Sequence, residues 1–237
     1  MSIAEKLTAI AENEHRVFEA GKKSEYDKFW DAFQQNGNRV RYDMENGNNF
    51  SYQGWDFTNF YPKYDIKPTR AMQLFYNWSE ERHQGDLAQR LEDCGVVLDT
   101  SQCISMYAAF QYCRCSRIPP IDFTGITSSS GTRNVFANTS MMVTIDKLIV
   151  NDNTSFDLTF ISNYSLENIT IEGTIGQNGF DVSSCSKLTH TSLMSIINAL
   201  KTFTDGTNKS VTIGSTNLAK LTDAEKAIAT QKGWTLA

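Results

Sequence analysis

The feature that most constrains the fold of this chain is a recurrence of phenylalanine and isoleucine at intervals in the mid-twenties. Three phenylalanines, each preceded by a small or β-branched residue, are separated by 26 and 24 residues: Phe110, Phe136 and Phe160. Three isoleucines inside strand-like segments are separated by 27 and 24 residues: Ile118, Ile145 and Ile169. One short strand in every 20 to 30 residues is typical of a solenoid, in which each repeat packs only on its neighbours.

The strand-like segments are short and alternate apolar with polar residues. Three of them carry the isoleucines: CSRIPPIDF (115–123), MMVTIDKLIV (141–150) and SLENITIEGTI (165–175). Alternation over four to eight residues predicts a strand with one buried face. We therefore expect three successive strands of one solenoid, with a fourth at SVTIGS (210–215).

Helical patterns interrupt and then close this series. A helix is predicted within 188–203, capped by Thr189 or Thr191, and its apolar face consists of Leu193, Ile196, Ile197 and Leu200. A capping box at Thr222 and Glu225 predicts a last helix, with Gly233 ending it and WTL as a final strand. A solenoid needs such an atypical end to cover its last apolar face.

The predicted fold class is α+β and β-rich, an irregular leucine-rich-repeat solenoid with an N-terminal helix and a C-terminal helical cap. We expect three regions. Residues 1–36 form a helix for oligomerisation or particle docking, residues 37–70 form an aromatic-rich hairpin or cap segment, and residues 71–237 form the solenoid with its cap.

The N-terminal helix has an apolar seam at a 4, 3 and 7 spacing, formed by Ile3, Leu7, Ile10 and Val17. About two heptads do not hold a coiled coil alone. The seam either packs on its own domain or joins copies of the chain. Self-association is favoured, because the segment precedes a break rich in Gly and Asn.

Residues 37–70 contain an Asn-Gly turn between extended runs, which predicts a hairpin. The same segment has a dense aromatic cluster: Trp55, Phe57, Phe60, Tyr61 and Tyr64. The cluster either covers the first face of the solenoid or forms a ligand-binding surface.

Charge and hydropathy argue against two classes of partner. The formal net charge is −5 and there is no Lys/Arg run, so no nucleic-acid partner is expected. The first residues lack the apolar run of a signal peptide, and no stretch approaches the roughly 20 apolar residues that span a bilayer. We expect a protein made in a cytoplasm without a signal peptide, and not inserted in a membrane.

No enzymatic or metal-binding motif stands out. The spacing of the five cysteines lacks two short Cys-x2–4-Cys pairs, so free thiols are favoured over zinc. The histidines His15, His83 and His190 fall on three different predicted elements. Four carboxylates lie near one another in sequence: Glu80, Glu81, Glu92 and Asp93. Glycosidase chemistry requires two carboxylates at a defined separation in one cleft, and sequence proximity alone does not establish that. The prediction is a non-enzymatic protein without cofactors.

Large polar and aromatic residues recur at turn-like positions: Tyr76, Trp78, Arg82, Tyr107, Tyr112, Arg114, Arg133, Asn163 and Tyr164. Tyr, Trp, Arg and Asn are residue types that recognition surfaces favour. They form either ordinary exposed loops or a ligand-binding surface displayed in register along the solenoid.

The repeats CRCSRIPPID, SMMVTIDKLI and SLENITIEG resemble the BspA-type leucine-rich repeats of bacteria. The front, IAEKLTAIAENEHRVFEAGKKSEYDKFWDAFQQNG, and the back, LAKLTDAEKAIATQKGWTLA, are similar to the ends of small leucine-rich-repeat proteins of phages and prophages of gut Firmicutes. The resemblance implies a virion-associated protein of the tail or baseplate.

The function expected from this resemblance is a phage tail, baseplate or fibre component that binds a host cell-surface protein or glycan. Its other partners would be virion proteins and further copies of the same chain, with a trimer favoured over a dimer by analogy with phage fibres. An intracellular protein-interaction module is the alternative, and a carbohydrate-active enzyme is the least favoured of the three.

Overall fold

The computed structural model describes residues 67, 68, 70–76, 79, 80, 86–95 and 97–237. The predictions for the N-terminal helix (1–36), with its seam residues, and for the hairpin and aromatic cluster lie outside the described residues. The described residues combine helices with two small parallel sheets.

The described elements follow one another as short segments. In chain order they are α1 (Leu87–Cys94), β1 (Arg117–Ile118), β2 (Ile121–Asp122), α2 (Ser129–Thr132), β3 (Thr144–Val150), β4 (Asn168–Gly173), α3 (His190–Ala199), β5 (Lys209–Val211), α4 (Ser215–Leu218), α5 (Asp223–Gln231) and β6 (Trp234–Leu236).

The larger sheet is parallel and is built around β3. Strand β4 pairs with one edge of β3, and β1 and β2 pair with the two halves of the other edge. The break between β1 and β2 falls at Pro119 and Pro120, which have no N–H to donate to a neighbouring strand.

The predicted strands and their register are confirmed. Ile118 lies opposite Ile145, and Ile145 lies opposite Ile169. All three side chains are buried, as are Leu148 of β3 and Ile171 of β4. One face of the sheet therefore forms the core, as the alternating pattern indicates.

A stack of aromatic rings runs parallel to this sheet. Phe75, Phe110, Phe136 and Phe160 are fully buried, and each ring lies 5.5 Å from the next, with interplanar angles of 20–22°. We call these four residues the phenylalanine ladder. Phe180 follows at 5.5 Å from Phe160, but its ring is tilted by 55°. Phe75 extends the stack by one ring toward the N-terminus, although it lies 35 residues before Phe110, outside the mid-twenties interval.

Backbone hydrogen bonds connect the same positions. The N–H of Phe75 donates to the carbonyl of Ala109, that of Phe110 to Val135, and that of Phe136 to Thr159, at 2.7–3.0 Å. Each acceptor immediately precedes the next phenylalanine. Successive passes of the chain, here called coils, are therefore joined along the ladder by both rings and backbone.

The turns that carry the ladder share an unusual backbone conformation. A residue with positive φ stands two positions before each phenylalanine, at Gln73, Ala108, Asn134 and Leu158. Another stands two positions after three of them, at Tyr112, Asn138 and Ser162. The left-handed conformation costs a non-glycine residue roughly 1–2 kcal/mol. Its recurrence shows that the same turn is built in each coil despite the different side chains.

Helix α3 covers the outer edge of β4. The hydroxyl of Ser192 accepts the N–H of Ile169 at 3.0 Å, and the hydroxyl of Ser195 accepts the N–H of Ile171 at 2.9 Å. These serines are three residues apart and thus lie on one helix face. Two strand N–H groups are satisfied by a helix rather than by another strand.

The predicted end signals of α3 and α5 are also confirmed. Thr189 caps α3, and the predicted apolar residues of this helix are buried. Thr222 and Glu225 form a reciprocal capping box at the start of α5. Gly233 ends the helix with φ 84°, where a Cβ would lie 2.7 Å from the carbonyl oxygen of Thr207.

The final strand closes the second sheet. Strand β6 pairs in parallel with β5, as the WTL prediction requires. Trp234 is buried, and its indole N–H donates to the carbonyl of Lys201 at 2.7 Å. The predicted helices and caps of this region match the structure, and WTL is a strand. The strand expected at 210–215 is instead the shorter β5, which belongs to a second sheet with β6, and Ser215 begins the unpredicted helix α4. The leucine-rich-repeat class remains a prediction.

Truncating a buried strand residue tests the core. We expect Ile169→Ala to lower the free energy of unfolding by about 2–5 kcal/mol, because it leaves a cavity beneath the sheet. Thr170→Ala, on the exposed face of the same strand, should change it by about 0.5 kcal/mol or less. Urea unfolding of both variants measures the difference, and equal losses would contradict the assignment of the two faces.

Acid unfolding tests the capping box. The Thr222 N–H and hydroxyl, at 2.8 and 2.9 Å, hold the pKa of Glu225 below its ordinary value, and His190 at 2.8 Å adds to this. Because the pKa in the folded chain lies below that in the unfolded chain, the stabilisation is present above about pH 4.3 and is lost as the pH falls through the folded-state pKa.

The variant Glu225→Gln can keep the cap without the titrating charge. We expect the wild type to be more stable than this variant at pH 6 and to lose that advantage below about pH 4. Urea unfolding across the pH range isolates Glu225, since all other carboxylates are common to both proteins. A pH-independent difference would contradict the role of its charge.

Candidate functional site

Two exposed surfaces of the coils could bind a ligand, and they differ in chemistry. The exposed face of the larger sheet is charged. Arg117 contacts Asp146 at 2.7 Å and Glu92 at 2.8 Å, and Lys147 contacts Glu172 at 2.6 Å. Asp146 first, and then Glu92, raise the pKa of Arg117 above its ordinary value. The charges of this face are thus largely compensated by one another.

The second surface is formed by the turns that carry the phenylalanine ladder. We call it the turn surface and define it by Tyr76, Tyr107, Tyr112, Arg114, Arg133, Leu158, Ile161 and Tyr164. Four of these residues are large, apolar or aromatic, and well exposed: Tyr164 at 60%, Tyr112 at 45%, Leu158 at 43% and Ile161 at 42%. Exposed side chains of this size are typical of interaction surfaces when they cluster.

The stacking of the coils brings the members of the turn surface into columns. Three carbonyl groups, each three residues before a ladder phenylalanine, accept hydrogen bonds from the preceding coil. The backbone N–H groups of Gln73, Ala108 and Asn134 donate to Tyr107, Arg133 and Asp157, respectively. The Arg133 guanidinium reaches Asp157 of the next coil at 3.7 Å. The rings of Tyr76 and Tyr112, from neighbouring coils, meet edge to face at 5.6 Å. Side chains that are distant in sequence thus become neighbours across coils.

The predicted recognition residues differ in solvent exposure. Tyr112, Arg114, Arg133 and Tyr164 are exposed, and Tyr76 and Tyr107 are partly exposed. Trp78 and Arg82 lie outside the described residues. Ligand binding by these residues remains a prediction.

The prediction for Asn163 is wrong, because its side chain is fully buried. Its Oδ1 accepts the N–H of Thr139 at 3.2 Å and also accepts the Thr139 hydroxyl, while its Nδ2 has no partner among the described residues. Asn163 stands three positions after Phe160. Cys113 and Thr139 stand three positions after their own phenylalanines and are buried too. This position points inward in every one of these coils, so Asn163 links coils instead of binding a ligand.

Leu158 and Ile161 were not predicted to be functional, because apolar residues in a repeat suggest core. Their positions in the repeat do not predict exposure. The equivalents of Leu158 include the fully buried Ala108 as well as Asn134, and those of Ile161 include the fully buried Ala137 as well as Gln111. The exposure of Leu158 and Ile161 is therefore seen only in the structure.

The described region contains cysteine and histidine side chains that could in principle bind a metal. Cys103, Cys113, Cys115 and Cys185 are buried free thiols. Burial raises the pKa of Cys103 and of Cys185 to about 12. His190 lies at the surface, as expected. Within the described residues there is no group of three or more potential metal-ligating side chains.

A cleft of about 580 Å³ lies at the C-terminal end of the chain. It is lined by α5, β6 and the loop before β5, including Phe203, Thr207, Thr230 and Trp234. The ionisable side chain in this lining is Lys226, which contacts Asp223 at 3.5 Å. Acid–base catalysis needs a pair of ionisable groups, which this lining does not supply.

No family model, curated protein or solved structure matches this chain. In the part of the chain that the structure describes, no helix is both long enough and apolar enough to cross a membrane.

Cys113, Thr139 and Asn163, the buried residues three positions after their phenylalanines, are here called the buried column. Two neighbouring residues with opposite orientations test it. Asn163→Ala should lower the free energy of unfolding by about 1–3 kcal/mol, because the N–H and hydroxyl of Thr139 lose their buried acceptor. Tyr164→Ala, next in sequence but exposed, should change it by about 0.5 kcal/mol or less. Chemical denaturation decides, and a neutral Asn163→Ala would contradict its role between coils.

Proposed function

We propose that this chain is a non-enzymatic, virion-associated phage protein that binds a host cell-surface ligand through its turn surface. The observation that carries the proposal is the chemistry of that surface. Tyr112, Leu158, Ile161 and Tyr164 expose aromatic and aliphatic area on this surface, and Arg114, two residues after Tyr112, is exposed as well. Exposed aromatic and arginine side chains are the types that dominate binding energy at interfaces.

The proposed scaffold is a leucine-rich-repeat solenoid of the BspA type. The parallel strands, the phenylalanine ladder and the repeated turn conformation support it, since each coil contacts its neighbours in sequence order. A solenoid fits a binding role, because its turns present side chains in register over a long surface.

The turn surface is favoured over the sheet face for a physical reason. On the sheet face, a ligand would have to displace the contacts that Arg117 and Lys147 already make with carboxylates. On the turn surface, burial of exposed apolar area by a ligand is favourable in itself, at roughly 25 cal/mol per Å². A host protein or a glycan could use it, through apolar contact with the tyrosines and hydrogen bonds to the arginines.

The proposal includes a role for the N-terminal segment. Ile3, Leu7, Ile10 and Val17 would join three copies of the chain or dock them on other virion proteins, because the seam is too short to be stable alone. The alternative is an intracellular protein-interaction module, which would use the same turn surface for a cytoplasmic partner. A carbohydrate-active enzyme is the third candidate and has the least support.

Paired variants test the binding surface. We expect Tyr112→Ala and Tyr164→Ala each to weaken binding of the labelled protein to intact cells and purified cell walls of the host bacterium by about fivefold or more. The thermal unfolding midpoint should hardly change, since both side chains are exposed. Thr170→Ala, on the sheet face, should bind like the wild type.

Three outcomes would contradict this proposal. If Thr170→Ala weakens binding and the tyrosine variants do not, the ligand binds the sheet face. If mass spectrometry of purified virions does not detect the protein while host cytosol contains it in abundance, the intracellular alternative is correct. Turnover of cell-wall glycans that disappears in Glu92→Gln would instead support an enzyme.

A further inference from the structure

The proposed function leaves one pair of reactive side chains without a role. Cys113 and Cys115 are buried, and their sulfur atoms are 3.0 Å apart, with the Cys113 thiol donating to the sulfur of Cys115. The sulfur of Cys115 also accepts the N–H of Leu87, the first residue of α1. Two donors therefore converge on one sulfur atom.

The other described thiols are placed differently. Cys103 donates to the carbonyl oxygen of Pro68 at 3.0 Å, and Cys185 lies beside Ser184. Neither contacts a second described thiol. The four buried cysteines thus divide into one adjacent pair and two that lie apart, which provides a control within the same molecule.

The geometry of the pair suits a covalent bond. A disulfide requires the two sulfur atoms to be about 2.05 Å apart, so the Cys113 and Cys115 sulfurs need to approach by about 1 Å. The fold already holds both side chains inward, one on each side of the exposed Arg114. Little conformational freedom is left for the native chain to lose when this bond forms.

We propose that Cys113 and Cys115 are a dithiol site that a small-molecule disulfide oxidises to an intramolecular disulfide. The Cys115 thiolate attacks one sulfur of oxidised glutathione, and one glutathione leaves and takes up a proton. Cys113 then loses its proton to solvent and attacks the Cys115 sulfur, which releases the second glutathione as a thiol. Two protein thiols are oxidised, and one glutathione disulfide is reduced to two thiols.

Burial decides when this reaction can occur. The closed coil shields both sulfur atoms from a molecule as large as glutathione, and burial raises the pKa of Cys115 so that its thiol stays protonated. Oxidation therefore requires the coil to open, or takes place during folding before the coil closes. The adjacent sulfurs then favour the disulfide over a mixed disulfide with glutathione, because the second attack is intramolecular.

The experiment is refolding of the full chain from denaturant in a buffer of oxidised and reduced glutathione, followed by acid quenching. We expect a mass lower by two hydrogen atoms and a fall in titratable thiols from five to three. Trypsin can cleave after Arg114, so the disulfide should link the peptide ending at Arg114 to the peptide Cys115–Arg117. Dithiothreitol should restore the original mass.

Two variants complete the test. Cys103→Ser/Cys185→Ser should form the same linkage as the wild type, while Cys113→Ser should lose it. A wild-type chain that refolds with five free thiols, or that accumulates mixed glutathione disulfides, would overturn the proposal. A linkage of Cys115 to a cysteine other than Cys113 would overturn it as well. Peptide mapping of the wild type gives this answer even if a serine variant fails to fold.

Discussion

The interaction on which the rest of the described structure depends is the stacking of Phe75, Phe110, Phe136 and Phe160. Each ring buries a large apolar area against the next, and the N–H of each of the first three donates to the carbonyl just before the next phenylalanine. The successive interplanar angles of 20–22° are of the same size as the twist between neighbouring strands, about 20–25°. The ladder can therefore follow the twisted sheet without losing contact between rings.

The architecture changes where this stacking changes. Phe180 is tilted by 55° against Phe160 and meets Phe156 edge to face at 4.9 Å. In the same part of the chain, helix α3 replaces a strand next to β4, and serine hydroxyls accept the strand N–H groups. The regular coil thus ends through two coupled events, a rotated ring and a helix that satisfies the exposed sheet edge.

The elements that the sequence predicts well are those fixed by local chemistry. The register of Ile118, Ile145 and Ile169 follows from alternation, and the cap at Thr222 follows from helix-end preferences. The orientation of turn residues is not local. Asn163 is buried and Leu158 is exposed, and residue type alone points the opposite way in both cases. Trp78 and Arg82 lie outside the described residues.

In the turns, the residues that hold the coils together are different from those that form the exposed surface. Their conformation is imposed by the ladder and by hydrogen bonds between coils, since residues as different as Gln73, Ala108, Asn134 and Leu158 adopt the same positive φ. Where a side chain of that turn points to solvent, as at Leu158, its identity is not constrained by packing. The position three residues after Phe110, Phe136 and Phe160 is constrained, because Cys113, Thr139 and Asn163 are all buried there, and Thr139 and Asn163 are hydrogen-bonded to each other across coils. A chain with this division can vary its exposed residues for different ligands while the buried column keeps the coils in register.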